Sequence, residues 1–286
     1  MTGFIAVDWG TTNRRAYQIV GGVAVETFRD DCGAKAMAGG DYAAGVAAIR
    51  DRLGDLPMLL AGMVGSTIGW HEVPYVAAPA GFPALAAAVH AVDARTAIVP
   101  GLSFVDEARV DVMRGEEVQL MGAVAAGLAP PDALLCQPGT HCKWARMAGG
   151  EVAGFATAMT GEMFALLKQH SILSSQLQGA VAPTPAFLRG VARGAAGDLT
   201  TALFGVRAAG VLGRLAPDDA PSFASGILIG ADVASNARGA DVHILADPAL
   251  GALYAAAVGA LGGTATIVDS HAAFVAGMVA IQELRK

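Results

Sequence analysis

Asp8-Trp9-Gly10-Thr11-Thr12-Asn13-Arg14-Arg15 puts a carboxylate, a glycine, three short side chains with hydrogen-bonding groups and two guanidinium groups into eight residues. The apolar run Phe4 to Val7 before it reads as a buried strand, and Arg15 to Val20 after it reads as another. The stretch is therefore a tight β-hairpin with an acid at its mouth. Gly10 allows close approach of backbone to a ligand. Thr11, Thr12 and Asn13 add side-chain groups beside the N–H groups of the turn, which can cradle phosphate as a backbone nest does. Asp8 is suited to hold Mg²⁺ through water, since Mg²⁺ favours one or two carboxylates plus phosphate oxygens. The same residue types also build ordinary hairpin turns, so the octet alone leaves both readings open.

A second copy of the pattern occurs at Leu134 to Met147. An apolar run again enters Gly139-Thr140 and leaves, past His141, into a strand-like run carrying Lys143. Two Gly-Thr hairpins in two halves of one chain suggest a duplicated pair of domains with a nucleotide between them. His141 and Lys143 are candidates to meet a phosphate; each has a structural alternative, a hydrogen-bonding His or a solvated strand lysine.

Gly115-Glu116-Glu117 opens a helix that links the halves. Two acids in a first helical turn suit the helix dipole; alternatively one of them is a general base in a phosphoryl transfer. Asp111 and Arg114 lie just before. Arg114 has the geometry to grip a carboxylate or phosphate through two bonds, or to form a surface ion pair. Arg14 and Arg15 face opposite ways as neighbours on a strand, so only one of them reaches a ligand. Gly62-Met63-Val64-Gly65-Ser66 directly follows the strand Met58 to Ala61, at the carboxyl edge where ligands settle in open α/β sheets. Gly62, Met63, Val64, Ser66 and the nearby Trp70 are the substrate candidates there, although Trp70, like Trp9 and Trp144, has packing as its alternative. Gly226 and Gly230 are candidates to let an adenine plane approach.

Other classes are excluded or disfavoured. The chain has no Gly-x-x-x-x-Gly-Lys-Ser/Thr string and no Gly-x-Gly-x-x-Gly string, so nucleotide binding must rest on the hairpins. Its 286 residues suffice for one large or two medium domains. A hydrophobic fraction of 54% against 15% charged residues argues for a buried core. The net charge of −6 gives no basic field for nucleic acid. Cys32, Cys136 and Cys142 make no even framework and lack zinc-site spacing, so reduced thiols are expected. No secretory leader is expected, and the uncharged run Pro248 to Ile267 divides into a helix and a strand instead of a membrane span. A soluble cytoplasmic protein follows, with a homodimer left open.

The elements needed to position these groups are legible in outline. Strands at Phe4–Val7, Arg15–Val20 and Val23–Arg29 precede a helix with Tyr42, Val46, Ile49 and Leu53 on one face, capped by Asp41. Met58–Ala61, a helix over Pro83 to Val92 and a strand at Thr96–Val99 complete the first half. The second half repeats three strands, at Leu134–Gln137, Lys143–Met147 and Glu151–Thr157. Helix Gly161 to His170 follows, then a helical insertion over Pro185 to Arg214. Helix Ser222 to Asn236, with Ser222 as N-cap, leads to strand Val242–Leu245, helix Pro248 to Leu261, strand Thr266–Val268 and helix Ser270 to Leu284.

Five strings carry a resemblance. The first octet resembles the first phosphate motif of the actin-like sugar kinase superfamily, which includes hexokinase, glycerol kinase and actin. Asp111-Val112-Met113-Arg114-Gly115-Glu116-Glu117, Pro138-Gly139-Thr140-His141 with Lys143-Trp144, Met159-Thr160-Gly161-Glu162 and Leu228-Ile229-Gly230-Ala231-Asp232 are similar to the 2-dehydro-3-deoxygalactonokinase family within it. The resemblance implies an α/β fold of the actin-like ATPase, ribonuclease H-like type, with two duplicated βββαβαβα domains around a nucleotide cleft. Residues 1–117 would bind the sugar acid and residues 118–286 the adenosine. It implies ATP and Mg²⁺ as cofactors and phosphorylation of 2-dehydro-3-deoxy-D-galactonate at its terminal hydroxyl. Kinase action on another sugar or sugar acid, or a non-catalytic nucleotide-binding regulator of the same fold, is the alternative. By the same likeness Glu116 is the first choice of base and Glu117 the second; of the two adjacent arginines, Arg15 is the candidate to face the substrate. The family's adenosine turn falls on Leu245-Ala246-Asp247-Pro248, which makes Ala246 and Asp247 nucleotide candidates but lacks the family's run of glycines.

Overall fold

Strand β1 (Phe4–Trp9) is apolar up to Asp8, and Ile5, Ala6 and Val7 are wholly buried. Such a strand must lie inside a sheet covered on both faces. In the computed structural model, which describes residues 3–37 and 39–285, it does. β1 is followed by β2 (Arg14–Val20), β3 (Val23–Asp30), α1 (Tyr42–Leu53), β4 (Met58–Gly62), β5 (Val76–Ala77), α2 (Phe82–Ala87), β6 (His90–Ala91), β7 (Thr96–Ile98), β8 (Leu102–Val105), β9 (Val110–Met113) and α3 (Glu116–Ala125). The chain continues through β10 (Ala133–Gln137), β11 (Cys142–Ala148), β12 (Glu151–Ala158), α4 (Thr160–His170), α5 (Pro185–Gly194), α6 (Leu199–Val211) and α7 (Ala220–Asn236). It ends with β13 (Asp241–Leu245), α8 (Pro248–Ala260), β14 (Thr264–Val268) and α9 (Ser270–Leu284).

Two compact units share these elements. The first comprises Met1–Asp132, Arg146–Phe155 and Asp269–Lys286; the second comprises Ala133–Ala145 and Ala156–Val268. In the first, a six-stranded sheet has the order β3-β2-β1-β4-β7-β6, and a small sheet has the order β5-β8-β9. β1 runs antiparallel to β2 and parallel to β4, so the carboxyl ends of β1 and β4 lie side by side. α1 buries Tyr42, Val46, Ile49 and Leu53, as their spacing predicts, and the Asp41 carboxylate accepts from Ala44 N–H at 2.9 Å. α3 and α9 pack together in this unit.

The second unit is built on a sheet of order β12-β11-β10-β13-β14, and the division into units passes through β11 and β12. α7 carries a row of small residues against α5. A Cβ on Gly226 would sit 2.1 Å from the Phe187 carbonyl oxygen, and one on Gly230 would sit 2.3 Å from that of Val191. Backbone contact this close tolerates only glycine.

Three local expectations are corrected. α2 stops at Ala87, because only Leu85 anchors it in the core, and His90–Ala91 instead pairs with β7 as β6. The strands β5, β8 and β9 have no counterpart in the expected order; Val105 and Val110 are 69% and 76% exposed, so no buried apolar run announces them. Ser222 is inside α7 and not its cap: the helix begins two residues earlier with Pro221 in its first turn, and the Ser222 hydroxyl oxygen accepts from Ala182 N–H at 3.1 Å. Among the described residues no helix is long and apolar enough to cross a membrane.

Candidate functional site

In the first unit, Asp8 sits at the end of β1, paired across the ladders with Arg15 of β2 and Ala61 of β4. Burial pushes its carboxyl up to about 6; the negative charge of Glu116 adds to the shift and Arg15 opposes it. Gln119 of α3 reaches toward Asp8 Oδ2 at 3.5 Å. The hairpin beyond is held from one side: the carbonyls of Gly10, Thr11 and Thr12 accept from the backbone N–H groups of Ala34, Lys35 and Gly33 at 2.9 to 3.0 Å. Gly33 is obligatory there, since a Cβ would meet Thr12 backbone at 2.2 Å. Thr12, at the tip of the turn, is exposed, and Asn13 is half-buried.

The two arginines after the turn separate as strand alternation requires. Arg14 is buried, binds Asp30 through Nε and Nη2 at 2.8 to 3.1 Å and lies 4.9 Å from the centre of the Trp9 ring; it is structural. Arg15 points the other way and bonds to His271 at the start of α9, whose ring also lies 3.0 Å from the Tyr17 hydroxyl. His271 thus sits beside Asp8's cross-strand partner.

The start of α3 meets the same strand edge. Gly115 has φ 105°, and a Cβ there would be 3.0 Å from Gly62 Cα, so the turn into α3 and the end of β4 touch through glycines. Glu116 is half-buried and its Oε2 accepts from Arg114 N–H at 3.1 Å. Glu117 is wholly buried and accepts from Gly115 N–H with both oxygens. Burial, then the charge of Glu116, push Glu117 up to about 8; the bonds from backbone N–H and the nearby Arg114 pull against this.

Arg114 is 8% exposed. Its Nη2 donates to the Val73 carbonyl at 2.6 Å and its guanidinium lies 4.2 Å from the centre of the Tyr75 ring, while Nε and Nη1 are buried without partners. A buried guanidinium with two unmet donors is costly unless an anion completes it. The 62–66 segment packs over it: Met63–Gly65 form a 3₁₀ turn, the Ser66 hydroxyl donates to the Met63 carbonyl at 2.7 Å, and a Cβ on Gly65 would come within 2.9 Å of Arg114 Nη1. Val64 is wholly buried in the core beneath. Trp70 stacks on Tyr42 with ring centres 6.1 Å apart and packs on the same core, in place of standing free as a platform.

In the second unit the Gly139-Thr140 turn is exposed and abuts the N-terminus of α4, where Glu162 N–H donates to the Thr140 carbonyl at 2.9 Å. His141 is 2.8 Å from Glu162, so its ring is tied to α4. Lys143 is buried and donates to the Thr157 hydroxyl at 2.9 Å. Cys136 and Cys142 are buried thiols 3.6 Å apart whose burial pushes both up. Among the described residues no group of three or more His, Cys, Asp or Glu side chains is arranged to hold a metal ion.

Beside this turn lies a cavity of about 220 Å³, lined by Gly139, Thr160 and Gly161 and by apolar side chains that include Phe164, Leu228 and Leu250. Its floor is fixed by Asp232. That buried carboxylate accepts from Trp144 Nε1 at 2.7 Å, the Thr160 hydroxyl at 2.7 Å, the Tyr254 hydroxyl at 2.9 Å and Asn236 Nδ2 at 3.1 Å. Gly226 and Gly230 do not line the cavity; they face α5, which corrects their expected role. Ala246 and Asp247 lie at the end of β13, Asp247 exposed ahead of α8.

The sequence alone does not single out the 33–35 clasp, Gln119, Tyr254 or Ser225, nor assign a role to Asp232. An isolated acid in the apolar helix Leu228-Ile229-Gly230-Ala231-Asp232 was the signal for a buried acceptor, since such an acid must be paired. The others follow from long-range contacts without a local signature.

A family model described as 2-keto-3-deoxy-galactonokinase matches residues 8–281. The 2-dehydro-3-deoxygalactonokinase of Escherichia coli (strain K12) is 37% identical over 285 residues, which are 97% of this chain and 97% of that protein. A crystal structure from Sinorhizobium meliloti, assigned as a 2-dehydro-3-deoxygalactonokinase, superposes with a TM-score of 0.91 at 35% identity, over 98% of this chain and 96% of that one. The activator of 2-hydroxyisocaproyl-CoA dehydratase from Clostridium difficile, solved with ADPNP bound, has a TM-score of 0.52 at 11% identity over 99% of this chain and 96% of that one. It supports the actin-like fold alone.

Proposed function

The chain belongs to the 2-keto-3-deoxy-galactonokinase family, and we propose that it phosphorylates 2-dehydro-3-deoxy-D-galactonate on its terminal hydroxyl with ATP, giving the 6-phosphate and ADP. The observation that carries the chemistry is the set of acids at one strand edge: Asp8 lifted to about 6 in part by Glu116, with Glu117 held behind them. Carboxylates crowded until one rises are suited to accept a cation and a proton.

Glu116, half-buried, takes the proton of the sugar hydroxyl as it attacks phosphorus. Glu117, fixed on Gly115 N–H, holds the entry of α3. Asp8 would hold Mg²⁺, which when bound would offset charge on the phosphates. The residues present fit that role: Asp8 is a raised carboxylate that a cation would restore to its charged form. Gly10, Thr11, Thr12 and Asn13 offer donors to phosphate from the first unit; Gly139, Thr140 and Lys143 do so in the second, with His141 steadied by Glu162. The nucleobase enters the cavity beside Gly139, near Ala246 and Asp247. The unmet donors of Arg114 take the carboxylate of the sugar acid, and Arg15 with the Gly62–Ser66 turn, Met63 and Val64 included, shapes that side. A duplication into residues 1–117 and 118–286 is supported by the three consecutive strands that each part contains, β1–β3 and β10–β12, with a Gly-Thr turn between the first two of each set. A cytoplasmic enzyme acting as a monomer or homodimer fits this reading.

ADP release across a panel of sugar acids and neutral sugars tests it. Turnover should be highest with 2-dehydro-3-deoxy-D-galactonate and need Mg²⁺. Equal turnover with neutral sugars, or none with the whole panel, would remove the assignment.

A further inference from the structure

The cavity beside the Gly139-Thr140 turn holds a hydroxyl that the transfer chemistry does not use. Three hydroxyl side chains line it: Thr160, Ser225 and Tyr254. Thr160 and Tyr254 donate to Asp232 and are thereby committed. Ser225, midway along α7, is 6% exposed. Its hydroxyl has no partner among the described residues, although Ser235 on the same helix bonds back to the Ala231 carbonyl at 2.9 Å. Ser225 is one of the residues that line the cavity, and its free valence opens there. A hydroxyl nine-tenths buried and unpaired forfeits hydrogen bonds unless a ligand supplies them.

We propose that Ser225 is the side chain with which this chain reads the hydrogen-bonding edge of its nucleotide's base. The inference rests on the reading of this cavity as the nucleobase site. Gly139 belongs both to the Gly-Thr turn and to the cavity wall, so a ligand whose phosphates lie at the turn extends its base toward α7. Phe164, Leu228 and Leu250 supply apolar surface for the faces of a planar ring. Among the described side chains that line the cavity, Ser225 alone then offers an uncommitted polar group, and as a rotor it donates or accepts according to the base. An apolar pocket with one placed polar group is the usual way to fix the orientation of such a ligand. Ser225 is therefore a specificity-determining residue, distinct from the acids that carry the transfer.

Calorimetric titration with ADP of the full chain and three variants tests this, with circular dichroism reporting the fold. Ser225→Ala removes the hydroxyl; Ser225→Cys keeps its shape but has only a weak donor; Ser225→Leu fills the cavity. Ala and Cys should each weaken ADP binding about 2- to 12-fold, the equivalent of one neutral hydrogen bond, while the KM for the sugar acid stays constant. Wild-type affinity in both, or recovery in Cys of what Ala loses, overturns the role of Ser225 and leaves the cavity as the nucleobase site if Leu abolishes binding. A folded Leu variant that binds ADP normally overturns the cavity reading itself, and the proposal with it.

Discussion

Glu117 turns both carboxyl oxygens onto the N–H of Gly115, at 2.9 and 2.7 Å, and is wholly buried. Its neighbour Glu116, on the same helical turn, is half-buried and adds its charge to the shift of Asp8. Two adjacent acids that look interchangeable in sequence are thus set apart by burial: one secures the turn, the other is available to solvent and substrate.

Glu116→Gln should therefore lower kcat by about 10²- to 10⁴-fold, the usual cost of removing a general base, with little change in the KM of the sugar acid. Glu117→Gln should cost far less at neutral pH, because the amide replaces a carboxyl that is already largely protonated there. Steady-state kinetics on both variants decides; the reverse order assigns the base to Glu117.

Glu117 also makes stability depend on pH. Its carboxyl rises from 4.5 to about 8 on folding, so the unfolded chain releases this proton first. Its contribution is fully present below about pH 4.5 and is lost as pH rises through about 8. Glu117→Gln removes the titration. Melting temperatures of wild type and variant should converge at pH 5 and diverge at pH 9 in favour of the variant; parallel curves would show that Glu117 keeps an ordinary carboxyl.

Asp8→Asn should nearly abolish turnover while leaving the melting temperature at neutral pH unchanged or raised, since the raised carboxyl of Asp8 opposes folding above about pH 6. In the wild type, the acid limb of kcat/KM should fall near pH 6. Normal turnover by the variant at limiting Mg²⁺ would separate Asp8 from the metal.

Arg114→Ala should raise the KM for the sugar acid about 10- to 150-fold, the range for a hydrogen bond to a charged group, and change the KM for ATP little. Added guanidinium should restore part of the loss. An equal rise in both KM values would make Arg114 a support for the Gly62–Ser66 turn only.

Asp232→Ala leaves four donors without their acceptor. At about 1–3 kcal/mol for each buried group left unpaired, a loss of at least about 3 kcal/mol is expected in denaturant unfolding, and Asp232→Asn should lose less. A change below about 1 kcal/mol would show that the floor of the cavity does not depend on this carboxylate.

What was legible in the sequence was local. Phe4 to Val7 announced a central strand by being apolar on both faces, and Asp41 with Tyr42, Val46, Ile49 and Leu53 announced α1 by cap and period. Both Gly-Thr hairpins were readable because strand, turn and strand are contiguous. The roles of Gly226 and Gly230 were not, since a glycine that admits a ligand and one that admits a second helix look the same until α5 is placed. The small sheet β5-β8-β9 stayed hidden because its strands are short and its valines face outward. The different fates of Glu116 and Glu117 depend on burial, which two identical residues cannot reveal.

The central claim, transfer of a phosphoryl group to the terminal hydroxyl of a sugar acid, is tested most directly by phosphorus–proton correlated NMR of the product formed from 2-dehydro-3-deoxy-D-galactonate and ATP. The account predicts one phosphorus coupled to the protons of the terminal methylene carbon, formed in step with ADP. Coupling to any other carbon, or ADP accompanied only by inorganic phosphate, would contradict it.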